Sequence, residues 1–213
     1  MKLHLPLALV LTGLLSTGSA AADAKPVYEN NFESGALDKA PEGAMAIAGD
    51  FMVKQEGGNK FLELPGEPLD TFGILLGPAG QGDLSATARF FGTKTGRKFP
   101  AFGVSLGGVG GYRLMMSAGK KMLEIFKADE VVKSVPFEWA SGEWTTLRLQ
   151  VRKAGAGWVV EGKAWPATGA EPTGWQISIE LKEAPSAGRA GLWGSPYSGT
   201  PIRFDDLVIA PAS

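Results

Sequence analysis

The sequence contains no cysteine, and its only histidine is His4. Catalysis by a Ser-His-Asp triad or a Cys-His pair, zinc sites built on Cys or His, haem held by His, and disulfide frameworks all require one of these residue types. A signal peptide that includes His4 would leave a mature chain without either. Carboxylate chemistry, oxygen-ligated calcium, acid/base work by tyrosine or lysine, and binding without catalysis remain.

The sequence also lacks an apolar stretch long enough for a membrane-spanning helix. The apolar stretch from Leu5 to Leu15 is too short to cross a bilayer, follows the basic Lys2 and precedes the small residues 20–22. This order is typical of a secretory signal peptide. We therefore predict that residues 1–22 are a signal peptide and that residues 23–213 form one domain, exported to the periplasm or secreted, with no membrane span.

Neither sign of charge is in large excess. The chain has 21 Lys and Arg residues against 22 Asp and Glu, and removal of Lys2 with the leader leaves 20 against 22, a net charge of −2. Without a basic surplus, nucleic acid is not an expected partner. Because no disulfide is available, an apolar core must hold the exported domain, alone or with a metal. We expect a monomer.

Short stretches of alternating apolar and polar residues occur throughout the chain between glycines and prolines. They include LSATARFF, YRLMMS, MLEIFK, TTLRLQVR, WVVEGKAW and RFDDLVI, and about a dozen such strands are predicted with no helix of normal length. GGVGG, SAGKK and KAGAG separate successive strands as hairpin loops would. The pattern predicts an all-β fold, a two-sheet antiparallel β-sandwich of jelly-roll type.

Two adjacent aspartates interrupt the apolar strand RFDDLVI near the end of the chain. Strict alternation would place Asp205 on the face of Leu207, and Asp206 on the opposite face with Phe204 and Val208. One carboxylate would then point inward, and a buried carboxylate is costly unless a cation or several N–H groups meet it. The pair therefore predicts a partner elsewhere in the chain.

The order of several segments resembles the concanavalin A-like lectin/glucanase superfamily, especially the laminin-G-like and 3-keto-disaccharide-hydrolase-like (domain of unknown function) modules of exported bacterial proteins. The matching segments cover most of the mature chain and include YENNFESG, GDFMVKQEGGNKFLEL, YRLMMSAGKKMLEIFKADE, GEWTTLRLQVR, GKAWPATGAEPTGWQI and AGLWGSPYSGTPIRFDDLVI. The resemblance implies a jelly-roll fold. It implies little about function, because one fold hosts lectins, binding modules, glycosidases, lyases and adhesion domains.

The resemblance also implies a structural calcium ion. In similar modules the first and last strands lie side by side, and an acidic residue from each holds the ion, which here would place Glu33 beside Asp205 or Asp206. Calcium takes six to eight oxygens, so backbone carbonyls and Asn30, Asn31 or Asp50 would complete the shell. The alternative is a carboxylate that caps a turn or pairs with Arg203 or Arg189 without metal.

No catalytic residue is identified from the sequence. Glycosidases of the superfamily place two carboxylates on one strand as E-x-D-x-x-E or E-x-D-x-E, and this chain has no such motif. Its nearest approach, EIFKADE, contains Glu124 and Asp129 at the wrong spacing. The similar lyases use a set of residues that includes histidine, which the mature chain lacks. If the protein is an enzyme, a carboxylate-dependent glycoside hydrolase using Glu124, Asp129 or Glu161 is the remaining type.

A sugar-binding site needs exposed aromatic planes flanked by polar side chains. If Leu147, Leu149 and Val151 face the core, their neighbours on the same strand face outward, beside the polar residues of the next strands. The resulting ladder consists of Arg148, Gln150, Arg152, Glu161, Lys163 and Arg113, with Trp165 and Trp175 exposed at its edge and Tyr197 on a separate loop. The alternative is a solvated sheet face with no ligand.

The sequence as a whole predicts an exported, carbohydrate-binding, lectin-like β-sandwich whose partner is a polysaccharide or oligosaccharide. Two other functions stay open. One is a glycoside hydrolase of the 3-keto-disaccharide-hydrolase-like type, and the other is a structural or protein-interaction module of laminin-G-like type. The hydrolase predicts two carboxylates facing each other in a groove. The interaction module predicts a flat apolar patch.

Overall fold

A computed structural model describes residues 25–213, and the predicted signal peptide lies outside this range. The described part is built from β-strands, and its helical structure is one 3-10 turn, Ala118–Lys120. In chain order the strands are β1 (Tyr28–Asn30), β2 (Met45–Ala48), β3 (Met52–Glu56), β4 (Asn59–Leu64), β5 (Phe72–Gly80), β6 (Leu84–Phe91), β7 (Ala101–Leu106), β8 (Tyr112–Ser117), β9 (Met122–Lys127), β10 (Glu130–Pro136), β11 (Thr145–Ala154), β12 (Gly157–Pro166), β13 (Ile177–Leu181), β14 (Gly188–Ser195) and β15 (Ile202–Pro211).

These strands form two antiparallel sheets that pack as a sandwich. The eight-stranded sheet has the order β13-β12-β11-β6-β15-β4-β3, with β1 also paired to β15. The seven-stranded sheet has the order β10-β9-β8-β7-β14-β5-β2. The predicted all-β, two-sheet antiparallel sandwich is therefore confirmed.

Strict alternation along the strands builds the core between the sheets. Leu147, Leu149 and Val151 of β11 face inward, as predicted, and each is at most 2% exposed. Phe90 of β6 stacks on Phe102 of β7 with ring centroids 5.2 Å apart, so an aromatic pair joins the two sheets at the centre. Such a core suits a domain that has no disulfide.

The three predicted hairpin loops are confirmed by the pairing of the strands on either side of them. GGVGG joins β7 to β8, SAGKK joins β8 to β9, and KAGAG joins β11 to β12. Gly107 and Gly108 adopt φ angles of +87° and +71°, a region in which a side chain is strained, so the first loop requires glycine there. These tight connections make β7, β8 and β9 a continuous meander.

A β-bulge in β15 changes the face of the sheet on which the residues after Asp205 lie. The register with β6 shifts between Asp205 and Val208, and Asp206 adopts a left-handed φ of +47°. Because one residue is inserted, Phe204 and Leu207 both reach the core, while Asp205 lies opposite Arg89 on the outer face. The prediction that one of the two carboxylates points into the core is therefore wrong.

Candidate functional site

The predicted polar ladder forms in part on the outer face of the eight-stranded sheet. Strands β11 and β12 are neighbours, with Gln150 opposite Glu161 and Arg148 opposite Lys163. Gln150 Nε2 donates to Glu161 Oε2 at 2.8 Å, and Arg152 Nε donates to the same oxygen at 2.9 Å. The Glu161 carboxylate is thus held by two neighbours on its own sheet.

A second cluster on this face is centred on Glu171, in the loop after β12. Its Oε1 lies 2.7 Å from Lys163 Nζ and 3.0 Å from Arg148 Nη1. Burial would raise the pKa of the Glu171 carboxyl, but the hydrogen bonds and charges of Lys163 and Arg148 outweigh it and lower that pKa below its ordinary value. The Trp175 ring covers both cations, with Lys163 Nζ 4.5 Å from its centroid.

The two tryptophans predicted to be exposed on this face differ in their exposure. Trp165 is only 9% exposed, so the prediction that it is exposed is wrong. Trp165 lies on β12 opposite Thr146 of β11, one strand in from the sheet edge at β13, and neighbouring residues cover it. Trp175 is half-buried over its two cations. Whether this face binds a ligand stays a prediction.

Arg113 does not belong to this ladder, which corrects its predicted place beside β11 and β12. Strand β8 lies in the seven-stranded sheet, between β7 and β9, so Arg113 faces outward on the opposite side of the sandwich. Strand alternation determines which residues share a face, but it does not determine which strands share a sheet. Arg113 and Tyr197 instead line one cavity together.

This cavity opens on the outer face of the seven-stranded sheet and has a volume of about 400 Å³. We call it the β8 pocket. Apolar and small side chains form much of its wall, among them Met115, Phe126, Phe99, Pro100 and Ala101. Polar groups also line it: Arg113, Asp129, Lys120, Ser117, Thr71, Ser195 and Tyr197.

Small residues on β5, β7 and β14 explain how a large side chain lies flat beside this pocket. A Cβ built on Gly73 would lie 2.7 Å from the Trp193 ring, and one built on Gly191 would lie 3.0 Å from the indole nitrogen. Trp193 therefore lies across the sheet over these glycines, and its Nε1 donates to Ser105 Oγ at 2.8 Å. The indole is 5% exposed and is fixed by both contacts.

Arg113 lies on this indole. Its guanidinium carbon is 4.4 Å from the Trp193 ring centroid and 5.6 Å from that of Phe126. Its Nη2 donates to the backbone oxygen of Ala128 and, at 2.8 Å, to Asp129 Oδ1. Its Nε is buried and has no hydrogen-bond partner among residues 25–213, an arrangement that costs about 1–3 kcal/mol.

Two further polar groups line or adjoin the pocket. Thr71 Oγ1 lies 2.9 Å from Ser195 Oγ and 3.1 Å from the Tyr197 hydroxyl, so three hydroxyls meet there. Glu124 is buried beside Met115, accepts a hydrogen bond from Ser117 and lies 3.2 Å from Lys120 Nζ. The hydroxyl cluster can both donate and accept hydrogen bonds, which suits a ligand with hydroxyl groups.

Sequence reasoning did not identify Thr71, Ser195 or Trp193 as parts of a site. Three small outward residues, Ala101, Ser117 and Ser195, pair across β7, β8 and β14. Small side chains in a row leave space above a sheet. The signal was present in each strand, but the row exists only once the pairing of the three strands is known.

The aspartate pair in β15 has a cation partner that the sequence did not identify. Arg89 Nη2 lies 2.9 Å from Asp205 Oδ2, and Arg89 Nε lies 2.7 Å from Asp206 Oδ2. Asn59 Nδ2 also donates to Asp205 at 3.1 Å, while Glu33 accepts from the backbone N–H of Lys60. Burial raises the pKa of Asp205 and outweighs the hydrogen bonds from Asn59 and the backbone and the charge of Arg89.

Within residues 25–213, no cluster of three or more acidic, histidine or cysteine side chains is arranged to hold a metal ion. The calcium site of Glu33, Asp205 and Asp206 stays a prediction. Any ion there would compete with Arg89 for both aspartates. Over the same residues, no helix is long and apolar enough to cross a membrane.

Comparison with known proteins finds similarity at the level of structure. No protein-family model and no curated protein matches the chain. A carbohydrate-binding module, CBM66 from Bacillus subtilis, is 12% identical with a TM-score of 0.52, covering 79% of this chain and 95% of its own. A Bacillus subtilis protein of unknown function with a galectin-like fold is 9% identical with a TM-score of 0.58, covering 89% and 97%.

The metal-free carbohydrate recognition domain of Emp46p is 12% identical with a TM-score of 0.58, covering 90% of this chain and all of its own. The chain has a lectin-like β-sandwich fold. At these identities the likeness concerns fold alone, and it is consistent with the concanavalin A-like superfamily expected from the sequence. The finer resemblance to laminin-G-like or 3-keto-disaccharide-hydrolase-like modules stays a prediction.

Proposed function

We propose that this lectin-like sandwich is an exported glycan-binding module and that the β8 pocket is its binding site. The observation that supports the proposal is the cavity of about 400 Å³ on the outer face of the seven-stranded sheet. Its size lies in the range of about 300–1,000 Å³ that is common for small-ligand sites. One or a few sugar rings are ligands of suitable size.

The composition of the pocket suits a sugar. A sugar ring presents apolar C–H groups on its faces and hydroxyls around its rim, so it needs apolar surface and hydrogen-bonding groups together. Met115 and Phe126 supply apolar surface, and the hydroxyls of Thr71, Ser195 and Tyr197 supply donors and acceptors. Tyr197 is 45% exposed, so its ring is available to a ligand.

The names of the structural relatives support the same class of ligand. They include a carbohydrate-binding module, a carbohydrate recognition domain, and lectin UEA-II in complex with galactose. Export is part of the proposal and depends on the signal-peptide pattern of residues 1–22. We also infer that the module is related to the laminin-G-like and 3-keto-disaccharide-hydrolase-like domains, on the segments named above.

A glycan array, read together with an assay for released reducing sugar, tests the function. We expect binding without release, and we expect Tyr197→Ala to weaken binding at least about tenfold because the pocket loses an aromatic wall. Tyr197 is exposed, so this variant should fold normally. The matched control is Trp175→Ala, which removes an aromatic side chain from the other sheet and should leave binding unchanged.

The other outcomes identify the alternatives. Binding lost in Trp175→Ala and retained in Tyr197→Ala would transfer the site to the eight-stranded sheet. Release of sugar would favour the glycoside hydrolase. Absence of both binding and sugar release would contradict glycan binding and favour a protein-interaction module.

A further inference from the structure

The β8 pocket contains a fixed positive charge. The side chain of Arg113 is 7% exposed, and its guanidinium lies on the Trp193 ring, which is itself held by Ser105. A guanidinium remains charged at any physiological pH and cannot lose its proton to escape burial. The pocket wall therefore holds a cation whose position is set before any ligand arrives.

The hydrogen bonds of this cation are incomplete. Nη2 donates to the Ala128 carbonyl and to Asp129, whereas the buried Nε has no acceptor in the described part of the chain. A guanidinium can offer two parallel N–H groups to a single carboxylate, and Asp129 accepts only one hydrogen bond here. A second acceptor oxygen would complete the arrangement.

Asp129 is a weakly held partner. Its side chain is 98% exposed in the turn between β9 and β10, whereas the guanidinium that it contacts is buried. Water and salt compete with the guanidinium for such an exposed carboxylate. An incoming anion that pairs with the buried guanidinium can therefore take the place of the Asp129 carboxylate.

The buried carboxylate beside the pocket, Glu124, does not supply this missing acceptor. It pairs with Lys120 Nζ at 3.2 Å and also accepts a hydrogen bond from Ser117. Lys120, which lines the pocket, is therefore already neutralised. If the Asp129 carboxylate swings into solvent, one uncompensated positive charge remains at Arg113. Charge balance then favours a negatively charged ligand.

Arg148 on the eight-stranded sheet provides an internal comparison. Its Nε is also buried without a partner among the residues that the structure describes, but its Nη1 pairs with Glu171, which is fixed in turn by the 8%-exposed Lys163. Glu171 contacts two cations and its side chain is 39% exposed, whereas Asp129 contacts one and is 98% exposed. Arg148 is thus neutralised by a carboxylate that is held in place, and Arg113 by one that is free to leave.

We propose that the β8 pocket selects acidic glycans, and that Arg113 binds a ligand carboxylate or sulfate in place of the Asp129 side chain. This inference rests on the glycan-binding function proposed above and adds the charge class of the ligand. Carboxylate and sulfate share the chemistry involved, which is two or more anionic oxygens that face the Nε and Nη2 groups of one guanidinium.

Titration calorimetry with matched ligands tests the charge class. An oligogalacturonate and the same oligosaccharide with its carboxyls methyl-esterified have the same backbone and differ in charge. We expect the acid to bind at least about tenfold more tightly than the ester, and the preference to shrink as NaCl rises from about 0.05 to about 0.5 M. A sulfated oligosaccharide, as a third ligand, determines whether carboxylate or sulfate is preferred.

Asp129→Asn is the decisive variant because a purely structural role for Asp129 predicts the opposite result. Removal of the competing carboxylate should tighten binding of the acid about threefold or more and leave binding of the ester unchanged. Because the Asp129 side chain is exposed, we expect this variant to fold normally. Arg113→Met should abolish the preference for the acid, and thermal unfolding of this variant checks that loss of the Trp193 contact has not unfolded it.

Two failures can be told apart. Equal binding of acid and ester, with both weakened by Tyr197→Ala, would overturn the charge selection and leave the glycan-binding function standing. Absence of binding to these ligands and to the glycan array would overturn the function itself. Weaker binding of the acid by Asp129→Asn would also overturn the exchange of Asp129 for a ligand anion.

Discussion

The outer faces of the two sheets carry similar types of residue and differ in what those residues contact. On the eight-stranded sheet, Glu161 and Glu171 are each met by two polar or cationic neighbours on the same face. On the seven-stranded sheet, Arg113 lies beside a cavity and its carboxylate partner is almost fully exposed. A row of polar residues thus stabilises a sheet when its members pair, and is available to a ligand when they do not.

Size explains the difference as much as charge does. The ladder consists of long side chains that reach one another across adjacent strands. The pocket consists of short side chains, Ala101, Ser117 and Ser195, in one row across three strands, and long side chains only around them. Long side chains in that row would fill the space that forms the β8 pocket.

The largest expected effect concerns the eight-stranded sheet. Arg89→Met leaves the Asp205 carboxylate, 1% exposed, without its cation, and should lower the free energy of unfolding by about 3 kcal/mol. Denaturation in urea at pH 7 measures the loss. Glycan binding should be unchanged, because the β8 pocket lies on the other sheet.

The pH dependence of this variant has a definite sign. The folded state already raises the pKa of Asp205 above its ordinary value, and loss of Arg89 must raise it further. A raised pKa favours the protonated folded state. The difference in free energy of unfolding between parent and variant should therefore be fully present above the raised pKa and shrink as the pH falls through it. Arg89→Met with Asp205→Asn is the matched control and should recover much of the stability at pH 7. A deficit that does not change with pH would contradict the buried charge as its cause.

An intermediate effect is expected on the seven-stranded sheet. Gly73→Ala places a Cβ against the Trp193 ring, 2.7 Å away before relaxation, and should cost about 2 kcal/mol of stability by overpacking. Because Arg113 lies on that ring, binding of the acidic oligosaccharide should weaken as well. Gly174→Ala, whose Cβ meets no atom within 4 Å, is the control. Full binding in Gly73→Ala would show that Trp193 does not position Arg113.

The smallest effect is expected from Glu171→Gln. Exposure of Glu171 reduces the value of its pairs with Lys163 and Arg148, so the loss at pH 7 should be under about 1 kcal/mol. The folded state lowers the pKa of Glu171. The contribution of this carboxylate to stability is therefore fully present above the ordinary pKa of 4.5 and disappears as the pH falls through the lowered pKa. Denaturation curves of variant and parent should therefore differ at pH 7 and converge at acidic pH. Glycan binding that fell in Glu171→Gln would place the ligand on the ladder instead.

Much of the fold could be predicted because the signals for strands and hairpins are local. The stretches 84–91, 112–117, 122–127 and 145–152 all fall within strands as expected. The division of strands between two sheets is not local, and for this reason Arg113 was placed beside the wrong strands. The bulge at Asp206 escaped prediction as well, because one inserted residue reverses the faces without a clear mark in the sequence.

The site was predicted less well for the same physical reason. Arg113 and Tyr197 were identified as polar or aromatic residues near strands and loops, and both line the pocket. The residues that create the space are small and common. Only their alignment across three strands, which depends on long-range pairing, gives them a role.

Strand β15 is the last strand along the chain, yet it lies inside the eight-stranded sheet between β6 and β4. A nascent chain that has emerged only as far as residue 201 exposes the facing edges of both neighbours, and the sheet cannot close until residues 202–211 arrive. Pairing across such long sequence separations slows folding. Until then the unpaired edges of β6 and β4 remain exposed, and edges of this kind favour aggregation unless another chain or a chaperone covers them.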